Sequence, residues 1–126
     1  MTLTSCRITK TITMVNAKSN AAESEVEFIK HKISSISFLP LSEEQEEMAI
    51  AIWKNEKEQL GKIKMKNSEI APVIFQYENE FRSILTPEQL MEYKKEYGNS
   101  MITKYFLSNR AMQEIKKIYN IEAEIK

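Results

Sequence analysis

The chain has no aspartate. All 18 of its acidic side chains are glutamate, balanced by 18 lysines and arginines, so its formal net charge is zero. Glutamate propagates helices, whereas aspartate competes for the backbone and prefers caps and turns. The missing aspartate excludes a Ser-His-Asp triad, an EF-hand and a kinase catalytic loop. Glycine (two) and proline (three) are also scarce, which leaves few places for the chain to break regular structure. One cysteine, Cys6, cannot form an internal disulfide. His31 is the single histidine, and one His and one Cys far apart in sequence cannot supply a tetrahedral metal site from one chain. No run approaches the roughly 20 apolar residues that span a bilayer. The balanced charge offers no strong overall attraction for nucleic acid or an anionic membrane.

What is present is helical. At 126 residues the chain forms one domain, able to bury roughly two-thirds of its unfolded surface. Met1 to Asn20 is polar, Thr-rich and without a signal-peptide apolar region, and is expected to be a flexible tail. Two fragments of it resemble remnants of an export signal. Leu3-Thr4-Ser5-Cys6 resembles a lipobox, whose Cys6 would carry a lipid anchor, and Val15-Asn16-Ala17 resembles a cleavage site. Residues 21–126 are expected to form a single helical domain. Asn20 can cap a first helix striped by Ala22, Val26, Ile29, Ile33 and Ile36, which Pro40 stops. Ser42 caps a second, with Met48, Ile52 and Trp53 on its buried side, four glutamates (43, 44, 46, 47) at its positive end and lysines toward its other end. Residues 61–72 hold either a turn, capped by Asn67-Ser68, or a helix kinked at Pro72; the turn is favoured. A clean stripe follows: Ile70, Val73/Ile74, Tyr77, Phe81, Ile84. Thr86 caps the next helix, with Pro87 at its first position and Leu90, Tyr93 and Tyr97 on one face; Gly98-Asn99 ends it. Ser100 starts the last helix, with Ile102, Tyr105/Phe106, Met112, Ile115 and Tyr119 inward, and Ile121 to Lys126 frays. No segment alternates with period two. The expected fold is all-α: four or five amphipathic helices in antiparallel hairpins, as a thin cradle or a small bundle.

One pattern occurs twice. Leu41-Ser42-Glu43-Glu44-Gln45 and Leu85-Thr86-Pro87-Glu88-Gln89 share Leu, a hydroxyl residue, any residue, Glu, Gln. Each is a capping box, in which the hydroxyl accepts from the N3 amide and the N3 glutamine reaches back to the cap's own amide. Leu85 and Leu90 add a hydrophobic staple; Leu41 faces Glu46 and has none. A helix start accounts for both copies without any function. Their setting, Phe38-Leu39-Pro40 before the first and Phe81-Arg82-Ser83-Ile84 before the second, each leading into a Lys/Glu-rich amphipathic helix, resembles the LTxxQ-motif family of small helical periplasmic proteins (Spy- and CpxP-like) over residues 22–97. Ser42 in place of Thr is a departure in the first motif, as is the absence of a visible export signal. The resemblance implies a helical hairpin architecture, often an antiparallel homodimer, periplasmic location, and ATP-independent binding of unfolded proteins or envelope-stress sensing.

No catalytic or cofactor-binding constellation accompanies the motifs. The four glutamates read as a solvated helix start, His31 as a surface or boundary residue, and the aromatic stripes as core. Met48, Ile52 and Trp53 are core or dimer seam on the plain reading and client-binding residues on the sharper one. The seven methionines offer adaptable apolar surface or simply fill gaps in a core. Two function classes follow: an exported, non-enzymatic binding protein for unfolded or partner polypeptide, or a cytosolic interaction module that takes one partner helix in a groove.

Overall fold

The computed structural model describes residues 3–97 and 104–126, with side chains from residue 12 onward. Those residues form six helices and no strand: α1 (Leu3–Ala22), α2 (Glu25–Ser35), α3 (Glu43–Lys62), α4 (Asn67–Ser83), α5 (Pro87–Tyr97) and α6 (Asn109–Ile118). The all-α expectation holds, and the hairpin arrangement makes a small helical bundle.

α4 is its centre: nine of its seventeen residues are buried, polar Glu78, Asn79 and Arg82 among them. Ile70, Ala71, Ile74, Phe75 and Phe81 are all buried, and the helix packs against α1, α3 and α6. A four-residue connection, 63–66, folds α4 back on α3, so the turn favoured at 61–72 is the arrangement found. Lys66 occupies the cap position of α4 and no side chain caps it, contrary to the expected Asn67-Ser68 cap. The interior divides into two apolar clusters. One joins Met14 and Ala17 of α1, Leu60, Ile70, Met112 and Ile115. The other joins Phe28, Leu39, Trp53, Phe81, Tyr93 and Phe106.

Several expectations need correction. The segment read as a flexible tail is helix α1, and Met14, Ala17 and Ala21 pack on the first cluster. Intrinsic propensity is weak in this Thr-rich stretch, and burial of one face outweighs it. Its last turn is held by Lys57, which donates to the Ala21 carbonyl. The helix after it starts at Ser24, whose Oγ accepts from the Glu27 amide at 3.2 Å, while Asn20 lies inside α1. Its buried positions are Phe28 and Lys32; Ile29 and Ile33 flank them and Val26 is exposed. A buried lysine carries no apolar signal, so the visible stripe sits one step off the real one.

The last helix starts at Ser108, whose hydroxyl accepts from Ala111, and Tyr105 and Phe106 precede it in a non-helical segment. Gly98-Asn99, Ser100 and Ile102 lie outside the described residues. The C-terminal segment is also held, where fraying was expected. Asn120 adopts φ 52°, a left-handed conformation that asparagine tolerates, and the Ile121 amide returns to the Lys116 carbonyl at 3.0 Å. Asn79 then donates to the Glu124 carbonyl and accepts from the Lys126 amide, at 2.8 and 2.9 Å.

Candidate functional site

Both motifs form their capping boxes. The Ser42 amide donates to Gln45 Oε1 at 2.9 Å, and the Gln45 amide donates to Ser42 Oγ at 3.1 Å. At the second copy the Thr86 amide donates to Gln89 Oε1 at 2.9 Å and the Gln89 amide to Thr86 Oγ1 at 3.2 Å. Leu41, Leu85 and Leu90 all pack on the second apolar cluster.

The two boxes also bond to each other. Gln45 Nε2 donates to Gln89 Oε1 at 2.6 Å, and Gln89 Nε2 donates to Gln45 Oε1 at 3.1 Å. The second N–H of each amide crosses to the loop before the other motif: Gln45 to the Ile84 carbonyl at 3.0 Å, Gln89 to the Pro40 carbonyl at 2.7 Å. Ile84 and Pro40 stand at the same place, two residues before their own caps. Each glutamine oxygen accepts twice and each nitrogen donates twice, which uses the full capacity of a primary amide. The starts of α3 and α5 are therefore locked together by one reciprocal pair.

Beside this lock lies an open apolar groove of about 460 Å³, between the end of α2 with the 36–41 segment and the first half of α3. Ile33, Ile36, Leu39, Leu41 and Trp53 form its walls, and Glu46 stands at its rim. Of the three residues proposed to contact a client, Trp53 is 1% exposed and sits among Phe81 and Phe106, with ring centroids 5.5 and 6.0 Å away. It is a core residue that also lines the groove. Ile52 is half-buried against the same cluster, and Met48 is exposed. The three do not form one surface.

Between the two apolar clusters lies a buried polar centre that the sequence patterns missed. Arg82 Nε donates to Glu78 Oε2, its Nη1 to Asn109 Oδ1 and its Nη2 to the Leu107 carbonyl, each at 2.8 Å. Glu78 also accepts from Tyr93 Oη at 2.6 Å and from the Leu107 amide at 2.9 Å. Burial first, and then the Glu78 carboxylate, hold the Tyr93 phenol well above its ordinary value. Nearby, Lys32 Nζ lies 3.0 Å from Glu56 Oε1 and donates to the Tyr105 carbonyl at 2.9 Å, over the Phe106 ring. Burial pushes the Glu56 carboxyl up, against the pull of Lys32. Asn20, Lys32, Glu56 and Glu78 line a small cavity of about 30 Å³, room for one or two waters. The only signal for these residues was a charged residue at a helical core spacing, such as Lys32 four positions after Phe28.

His31 is not isolated. Its Nδ1 is 2.6 Å from Glu23 Oε2 and 2.9 Å from Tyr105 Oη, while Tyr105 donates to Glu23 Oε1 at 2.8 Å. Burial and the bond to Glu23 raise the Tyr105 phenol to about 12. Burial pushes the Glu23 carboxyl up, but the bonds from Tyr105 and His31 outweigh it and leave the group below its ordinary value. A phenol so held is no general base at neutral pH, and the cluster ties the α1–α2 junction to the segment before α6. Among the described residues no set of three His, Cys, Asp or Glu side chains is placed to hold a metal ion. Nor is any described helix long and apolar enough to cross a membrane.

Comparison with family models, curated proteins and solved structures finds no match.

Proposed function

We propose that this chain is a non-enzymatic polypeptide-binding protein, a divergent LTxxQ-type helical protein that binds exposed apolar segments without ATP. The observation that carries the reading is the open apolar groove bounded by Ile33, Ile36, Leu39, Leu41 and Trp53, fixed in place by the motif lock beside it. A concave apolar site walled by helices is suited to side chains of another polypeptide. The reciprocal bonding of Gln45 and Gln89 supports treating the two motifs as a true pair, since chance helix starts have no reason to meet. Export to the periplasm and homodimer formation belong to the same reading and rest on the family resemblance.

A narrower reading, a module that takes one partner segment, is favoured by the position of Trp53. With Trp53 in the core and Ile52 half-covered, the broad apolar face along α3 that a general chaperone would use is reduced to Met48. The two readings part in one assay. The chain is incubated without ATP with several unrelated proteins diluted from denaturant, and light scattering is followed. Suppression for most of them supports the chaperone; no suppression at several-fold molar excess removes it and leaves the module.

A further inference from the structure

The groove has a charge of one sign at its mouth. Its walls are mainly apolar, with Ser34 and Ser37 among them, and Glu46 is its one charged lining residue. Glu43 lies one turn earlier on α3, and positions 43, 46, 50 and 53 share one face by their three- and four-residue steps. That face therefore runs from glutamates, through half-buried Ile50, to Trp53 in the groove. Glu44 and Glu47 stand beside them; all four glutamates are exposed, and none takes part in an ion pair among the described residues. Four carboxylates far exceed the roughly half positive charge of the α3 N-terminus. No lysine or arginine lines the groove to offset them. The groove supplies the site, and the glutamates give it a preference.

We infer that the groove takes an amphipathic segment of a partner protein whose apolar anchors are flanked by lysine or arginine, and that it discriminates against the same segment flanked by glutamate. This rests on the polypeptide-binding reading and names the class of partner. Exposed charge pairs are individually weak, so the preference comes from several acting together and falls with salt.

The test uses two synthetic amphipathic peptides of identical apolar spacing, one with lysines and one with glutamates at the flanks. Binding is read by anisotropy of the labelled peptide and by emission of Trp53, the sole tryptophan, which lines the groove. At low salt the lysine peptide should bind about tenfold more tightly than the glutamate peptide, the gap closing as salt rises. The double variant Glu43→Lys, Glu46→Lys, at exposed positions, brings the four side chains from −4 to zero net charge and should erase the difference. Ser34→Phe, at an exposed groove residue, should abolish binding of both. Equal binding of the two peptides, unmoved by the charge reversal, overturns the inference while leaving polypeptide binding intact. Failure of both peptides to bind overturns that reading as well. Binding untouched by Ser34→Phe places the site elsewhere and sinks the inference. A dimer at the titration concentration that dissociates in the charge-reversed variant would assign the groove to a second copy of the chain, which also overturns it.

Discussion

Gln45 and Gln89, 44 residues apart, exchange hydrogen bonds through their side-chain amides at 2.6 and 3.1 Å. Each also closes the capping box of its own helix and holds the loop before the other. A local helix-start signal thus serves as a long-range tie between α3 and α5.

That double use predicts non-additivity. Thr86→Ala removes one cap and should cost about 1 kcal/mol. Gln45→Ala and Gln89→Ala should each cost more than a cap alone, because each strands the partner amide and a loop carbonyl. Combined, they should cost less than their sum by about 1 kcal/mol. Urea denaturation of the two single variants and the double gives this coupling, and strict additivity would show the pair to be energetically idle. If Thr86→Ala lost peptide binding at unchanged Tm, the motif would be a binding element and not a structural one.

Arg82 and Glu78 make a second test. Both are buried, at 1% and 4% exposure, and every guanidinium nitrogen has a partner. Arg82→Ala leaves the Glu78 carboxylate buried without its cation and should cost about 3–5 kcal/mol. Replacing both together with apolar residues of similar size should cost much less than Arg82→Ala. Chemical denaturation distinguishes the outcomes; a near-neutral Arg82→Ala would contradict the packing described.

Glu56 predicts a pH dependence of definite sign. Its carboxyl sits above the ordinary value of 4.5 because burial disfavours the charge, so the folded state binds the proton more tightly than the unfolded chain. Its contribution to stability is fully present below the unfolded value and is lost as pH rises through the folded one. Glu23 works in the opposite direction, its stabilisation being lost as pH falls. The stability of the native chain relative to Glu56→Gln should therefore decline as pH rises from about 4.5 toward neutrality. Thermal melts of both proteins across that range measure it, and a rising or flat difference would disprove the assignment.

The C-terminal segment gives a fourth. Asn79 holds it by two bonds, and Ile121 and Ile125 pack on the first cluster. Removing residues 121–126 should lower Tm by several degrees, as a loss of about 1–2 kcal/mol does in a domain of this size. Asn79→Ala should reproduce part of that fall and speed proteolysis of the segment. A Tm unchanged by the truncation would mean that the segment adds nothing.

Much of this was legible in the residues. Abundant glutamate, scarce glycine and proline, and 3.6-residue stripes determined an all-helical chain, because those properties act locally. The same holds for the boxes at Ser42 and Thr86 and the stripe of α4, where Ile70, Ile74, Tyr77 and Phe81 are all buried. What tertiary structure alone decided was who meets whom. α1 is a helix because the bundle buries Met14 and Ala17, not because Thr-rich sequence favours one. Lys32 and Glu56 are interior because each is the other's partner across two helices, a relation no single periodicity carries. The sequence by itself set the helical character and the starts of α3 and α5; only the packed chain made α1 a helix, brought Gln45 to Gln89 and opened a groove beside them, since contacts between distant residues depend on how all the faces fit at once.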